Sequence, residues 1–153
     1  MKVTELDIQS TIDTFNASES SPEILLDEIF EEHQGLFHYL HSGILDPLPE
    51  NDRAFFFFLI TVVLKTLLPK LEGGTEINVK AILDYEEENW TLFNDQKGLF
   101  RTKLDVFFEN YQEEDLLSFI EDSLAVDEND ILSLASRELI FITIKSIIDS
   151  CVN

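Results

Sequence analysis

Apolar and polar positions alternate along this chain with helical spacing nearly throughout. Ile8, Ile12 and Phe15 recur at intervals of four and three, which predicts a short helix over about 5–15 with Thr4 as its cap. Asn16 to Ser21 is small and polar and reads as a linker. Ser21-Pro22-Glu23 then supplies a capping hydroxyl, a proline suited to the first helical position and an acid at the positive end of the dipole. The helix it opens carries Leu26, Ile29, Phe30, His33, Leu36, Phe37 and Leu40 along one face. It is expected to run unbroken to Ser42-Gly43, where glycine can close it.

Beyond the turn at Asp46-Pro47-Leu48-Pro49, the segment over about 50–68 contains Phe55-Phe56-Phe57-Phe58 and is apolar almost all round. Such a helix belongs at the centre of a bundle. Its β-branched and aromatic content would also suit a buried strand, but its length favours helix. Pro69 and Gly73-Gly74 close it. Amphipathic helices follow over 77–93, 99–111 and 113–124. Asp127 is expected to cap a last one that reaches about Cys151, with Leu139 to Ile144 its most strand-like stretch. The fold class predicted is all-α: a single-domain bundle of about six helices, over 21–153, around the central apolar helix at about 50–68. An acidic segment over 1–20 precedes it, and no internal repeat is seen.

Composition narrows the function. Apolar residues make up 44% of the 153 positions, enough for a sizeable core. Asp and Glu number 31 against 10 Lys and Arg, a formal charge of -21. Such a surface would repel nucleic-acid phosphates and anionic lipid, so neither is an expected direct partner. The excess is localised: residues 1–52 carry twelve acids and one base, and residues 104–136 carry ten acids and no base. Each block holds a helix with an acidic outer face, Asp27, Glu28, Glu31 and Glu32 on one and Glu113, Glu114, Asp115, Glu121 and Asp122 on the other. A solvated surface explains such charge simply. The sharper expectation is a face that steers in a basic protein partner.

Candidate chemistry is sparse. A lone cysteine, Cys151, can form no internal disulfide and excludes zinc sites built on two thiolates. With no signal-like segment at Met1 to Ser10, and only eleven residues in the longest apolar stretch, Ala54 to Leu64, a cytoplasmic location is expected and no membrane span. His33 falls within the apolar stripe of its helix, and Glu86 within the stripe formed by Val79, Ile82, Leu83, Trp90 and Phe93. An isolated buried carboxylate is strongly unfavourable, so Glu86 should be paired, protonated or beside a cavity. His33, Glu86 and Asn89 are the candidate buried polar residues, and His33 and Glu86 could form a register-fixing polar pair or line a metal or small-ligand site. The metal version is weak, because Glu86 is followed three positions later by Asn89 and no Glu-x-x-His occurs. His38 and His41 could chelate a surface metal at a spacing of three, though an ordinary exposed pair explains them.

Asp127, Asn129 and Glu138 match calcium-loop positions, but Ile131 and Leu132 stand where a ligand and the turn glycine are needed. Gly73-Gly74 lacks the lysine and hydroxyl of a phosphate loop. Lys97, Arg101 and Lys103 form the only local basic cluster, which could bind an anionic ligand, though offsetting the neighbouring acids explains it more simply. No metal, cofactor or catalytic residue is therefore predicted. The expected function is a non-enzymatic acidic helical protein, monomeric or homodimeric, that acts by protein–protein contact and inhibits or neutralises a basic partner. The competing expectation is a bundle holding a metal or small ligand near His33 and Glu86, with enzymatic activity.

Overall fold

The computed structural model describes residues 2–17, 21–71, 76–125 and 132–153. Regular structure among them is entirely helical, as the spacing predicts: α1 (Glu5–Ala17), α2 (Pro22–Glu32), α3 (Gln34–Leu40), α4 (Glu50–Leu67), α5 (Val79–Asn94), α6 (Phe100–Phe108), α7 (Glu114–Ser123) and α8 (Leu134–Val152), with a 3₁₀ turn at Leu68–Lys70. Among the described residues, no helix is long and apolar enough to cross a membrane. The chain divides into two compact units, Met1–Val79 and Lys80–Asn153.

In the first unit, α1 begins with a reciprocal cap. The Asp7 amide donates to Thr4 Oγ1 at 3.3 Å while the Thr4 amide donates to Asp7 Oδ2 at 2.9 Å, which satisfies two otherwise orphaned donors. The Asp7 carboxylate also meets Lys70 Nζ at 2.8 Å, tying α1 to the 3₁₀ turn. Lys70, with help from Thr4, holds the Asp7 carboxyl down at about 2. At the next start signal, Ser21 Oγ accepts from the Ile24 amide at 3.4 Å.

One expectation fails here. The helix from Pro22 does not run unbroken but splits at His33, whose φ of -133° and ψ of 67° separate α2 from α3. The cause lies in the segment leading to α5. The Ile77 amide donates to His33 Nδ1 at 2.9 Å, and the Gly35 amide, in the first turn of α3, donates to Glu76 Oε1 at 3.3 Å. Gly35 permits this approach, because a Cβ there would stand 3.0 Å from Val79 Cγ2. The apolar stripe continues across the break, so periodicity alone does not reveal it. Gly43, close to the predicted helix end, adopts a left-handed φ of 105°.

α4 is the central helix of this unit, with α1 and α2 packed on it. Phe56, Leu59, Ile60, Val62, Val63 and Leu64 have no solvent exposure. The four successive phenylalanines point in different directions at about 100° per residue, so Phe56 is buried while Phe55, Phe57 and Phe58 remain half-buried.

The second unit has its own central element. α8 buries every residue from Ile140 to Asp149, which takes in all of the strand-like stretch except the half-buried Leu139. Its N-terminus is capped by Ser133, whose Oγ accepts from the Ser136 amide at 3.1 Å. Asp127, the predicted cap, and the rest of Asp127-Glu128-Asn129-Asp130 lie outside the described residues, as does Gly73-Gly74. Phe107 and Phe100 of α6 meet Phe141 of α8 with ring centroids 5.7 and 6.4 Å apart. Between α6 and α7, Asn110 takes a φ of 56°, a left-handed position that asparagine tolerates better than most residues.

Candidate functional site

On α2, burial and charge divide cleanly. Leu26, Ile29 and Phe30 are buried. At helical spacing the remaining positions face away, and Glu23, Asp27, Glu28, Glu31 and Glu32 are all exposed. Glu28 meets Lys65 at 3.4 Å; the Glu28 side chain is well solvated while that of Lys65 is half-buried, and a single partly exposed contact of this kind holds little of the Glu28 charge. The four acids expected to form a face here therefore do lie together on one helix surface.

Beside that face runs a groove of about 440 Å³ between α2, α3 and α4. Leu26, Phe30, Phe57 and Phe58 supply its apolar floor, and Phe37 and His41 its lip. The lip is an aromatic mesh: Phe37 lies 5.2 Å from Phe30 and 4.3 Å from His41, and His41 stacks 6.2 Å from Phe57, centroid to centroid. Phe37 is 39% exposed. Glu23, Asp27 and Glu50 contribute carboxylates to the lining, and Arg53 its one base. Arg53 turns back on the fold, donating from a terminal nitrogen to the Leu48 carbonyl at 3.2 Å. His41 Nδ1 lies 2.8 Å from the Phe37 carbonyl, a contact that fixes the position of the ring at the lip.

The second acidic group is less uniform than expected. Glu113 departs most: it precedes α7 and is only 2% exposed, so it does not belong to an outer face. Glu114 and Asp122 are exposed, whereas Asp115 and Glu121 are half-buried. Arg101 bridges two of these acids, with Nε 3.3 Å from Glu121 Oε1 and a terminal nitrogen 2.9 Å from Asp122 Oδ1. Burial raises the Glu121 carboxyl above its usual range, and Arg101 pulls it the other way. The basic cluster thus offsets its acidic neighbours at Arg101, as the sequence suggested.

Of the polar positions singled out along apolar stripes, His33 and Asn89 are buried and Glu86 is half-buried. His33 belongs to the first unit and Glu86 to the second. The partner on His33 Nδ1 is the Ile77 amide, so that nitrogen fixes the chain path at the α2–α3 break. Among the described residues, no group of three or more His, Cys, Asp or Glu side chains converges as metal ligands would.

Asn89 leads to a buried polar network that sequence analysis did not assemble. Its Nδ2 donates to Ser146 Oγ at 3.0 Å and to Asp149 Oδ2 at 3.1 Å. Lys145 Nζ donates to Asn89 Oδ1 at 3.1 Å and pairs with Asp149 Oδ2 at 2.8 Å. The Tyr111 hydroxyl donates to Asp149 Oδ1 at 2.6 Å. Lys145 also sits 4.8 Å from the Tyr111 ring centroid and 5.1 Å from that of Phe107, an added cation–π attraction. Burial and the Asp149 charge push the Tyr111 hydroxyl far above its ordinary range. Burial likewise raises the Cys151 thiol to about 11, which disfavours the nucleophilic thiolate. These donors and acceptors are directed at one another, an arrangement that secures packing. A signal did exist: Lys145 and Asp149 are opposite charges four apart within a run of isoleucines.

No protein-family model matches this chain, and the comparisons with curated proteins and with solved structures found no match.

Proposed function

We propose that this chain is a non-enzymatic acidic helical protein that works by protein–protein contact, docking the α2 surface onto a basic partner and so masking that partner's own charged site. The observation that carries this role is the solvent-facing set Glu23, Asp27, Glu28, Glu31 and Glu32 within eleven helical residues. Charges so placed keep their field directed outward, and a cationic surface would be drawn in at a rate that falls with salt. The α7 acids contribute less to this role, because Arg101 engages two and Glu113 is buried. The reading is of a cytoplasmic protein, monomeric or homodimeric, and the net charge of -21 speaks against direct nucleic-acid contact.

The test compares two charge reversals in one pull-down from the native cell extract. Glu28→Lys, Glu31→Lys and Glu32→Lys together should abolish recovery of a basic protein, whereas the same number of reversals at Glu114, Asp115 and Asp122 should reduce it modestly. Undiminished recovery by the α2 variant would overturn the role assigned to that face.

A further inference from the structure

The groove beside α2 has a shape and a charge pattern that together specify an occupant. Its α4 lining recurs at Glu50, Ala54, Phe57, Phe58 and Thr61, a span of roughly 16 Å along the helix at about 1.5 Å per residue. Its α2 lining recurs at Glu23, Leu26, Asp27 and Phe30. A groove lined lengthwise by α4 and α2, with Phe37 and His41 at its lip and apolar side chains on its floor, matches the way an amphipathic helix inserts side chains spaced three, four and seven apart. Three carboxylates in the lining against Arg53 alone fix the sign of the flanks. A second copy of this chain is a poor occupant, since it would bring a further -21 charge against the same surface.

Resting on the role given to the α2 face above, we propose that this groove anchors the partner by receiving a basic amphipathic helix. The partner's apolar side enters between Leu26, Phe37 and Phe57, and its lysines or arginines reach Glu23, Asp27 and Glu50. The field of the α2 face brings the partner in, and burial of two or three bulky side chains holds it. Buried anchors of this kind dominate affinity, while the surrounding charges govern encounter.

The probe is a fluorescently labelled synthetic helix of about four turns, with leucines on one face and lysines elsewhere. A scrambled peptide of the same composition and a version with glutamate for lysine serve as controls. Fluorescence anisotropy should show saturable binding of the lysine helix and at least roughly tenfold weaker binding of the scramble, a difference of about 1.4 kcal/mol. Ala54→Trp fills the groove from an exposed helical position, and Phe37→Ser removes part of the lip from another. Each should weaken the lysine helix by roughly tenfold while circular dichroism stays unchanged.

Equal binding of helix and scramble, unaffected by Ala54→Trp and Phe37→Ser yet abolished by reversing Glu28, Glu31 and Glu32, would overturn the groove and leave the acidic face standing. Loss of neither with any variant would remove both. Equal binding of the glutamate helix would overturn the charge assignment. A dimer in sedimentation that Ala54→Trp dissociates would make the occupant a second copy and overturn the proposal.

Discussion

Lys145 is the residue whose setting most constrains substitution. Its ammonium is buried between Asp149, Asn89 and two aromatic rings. Removing one member of a buried ion pair leaves the other charge uncompensated, which costs more than removing both. Lys145→Met should therefore lower stability by about 3–5 kcal/mol in urea titration. The double substitution Lys145→Met, Asp149→Leu should recover part of that loss. Neighbouring groups give an alkaline limit. The Tyr111 hydroxyl and the Cys151 thiol both titrate higher in the folded chain than their ordinary 10.0 and 9.0. Their contribution is complete below pH 9. It declines as pH rises, the thiol's share being lost by about 11. The melting temperature should fall steadily over that window, and Cys151→Ala with Tyr111→Phe should flatten the fall relative to pH 8.

At the scale of elements, the break between α2 and α3 depends on a residue far along the chain. His33→Leu keeps the apolar stripe but leaves the buried Ile77 amide without its acceptor. The expected loss is about 1–3 kcal/mol, readable as faster hydrogen exchange at that amide. The contrast with α4 and α8 shows what is legible in the sequence. Both are long, apolar and bounded by turn signals or polar residues, so local pattern announces them. The break is not announced, because its cause acts across 44 residues while the spacing on either side stays helical. The acidic α2 face is legible for the same local reason as α4, since the buried positions Leu26, Ile29 and Phe30 and the acids take opposite sides within a few turns, although Ile24, 52% exposed, stands among the acids. The groove is not, because its lining comes from three helices. Glu113 looked like one more acid opening α7, and only packing reveals that it is covered. Lys145 and Asp149 carry a spacing common on helix surfaces, and only Asn89 and Tyr111, from other segments, show that the pair is internal.

For the whole molecule, a net charge of -21 is self-repulsive and opposes compactness. Added salt screens that repulsion, with a Debye length of about 10 Å at 0.1 M. Raising sodium chloride from roughly 0.02 to 0.2 M should raise the melting temperature while weakening attraction to a basic partner. Opposite signs in calorimetry and in binding would separate the two effects, and a melting point that falls with salt would contradict the first. The placement of α4 and α8 carries one more consequence. Each is the most apolar helix of its unit, and each follows in sequence α-helices that pack on it: α1 and α2 for α4, and α5, α6 and α7 for α8. During translation these segments leave the ribosome after their shelters have been made. The run through Phe55 and Val63, which alone would invite aggregation, emerges beside chain already able to cover it.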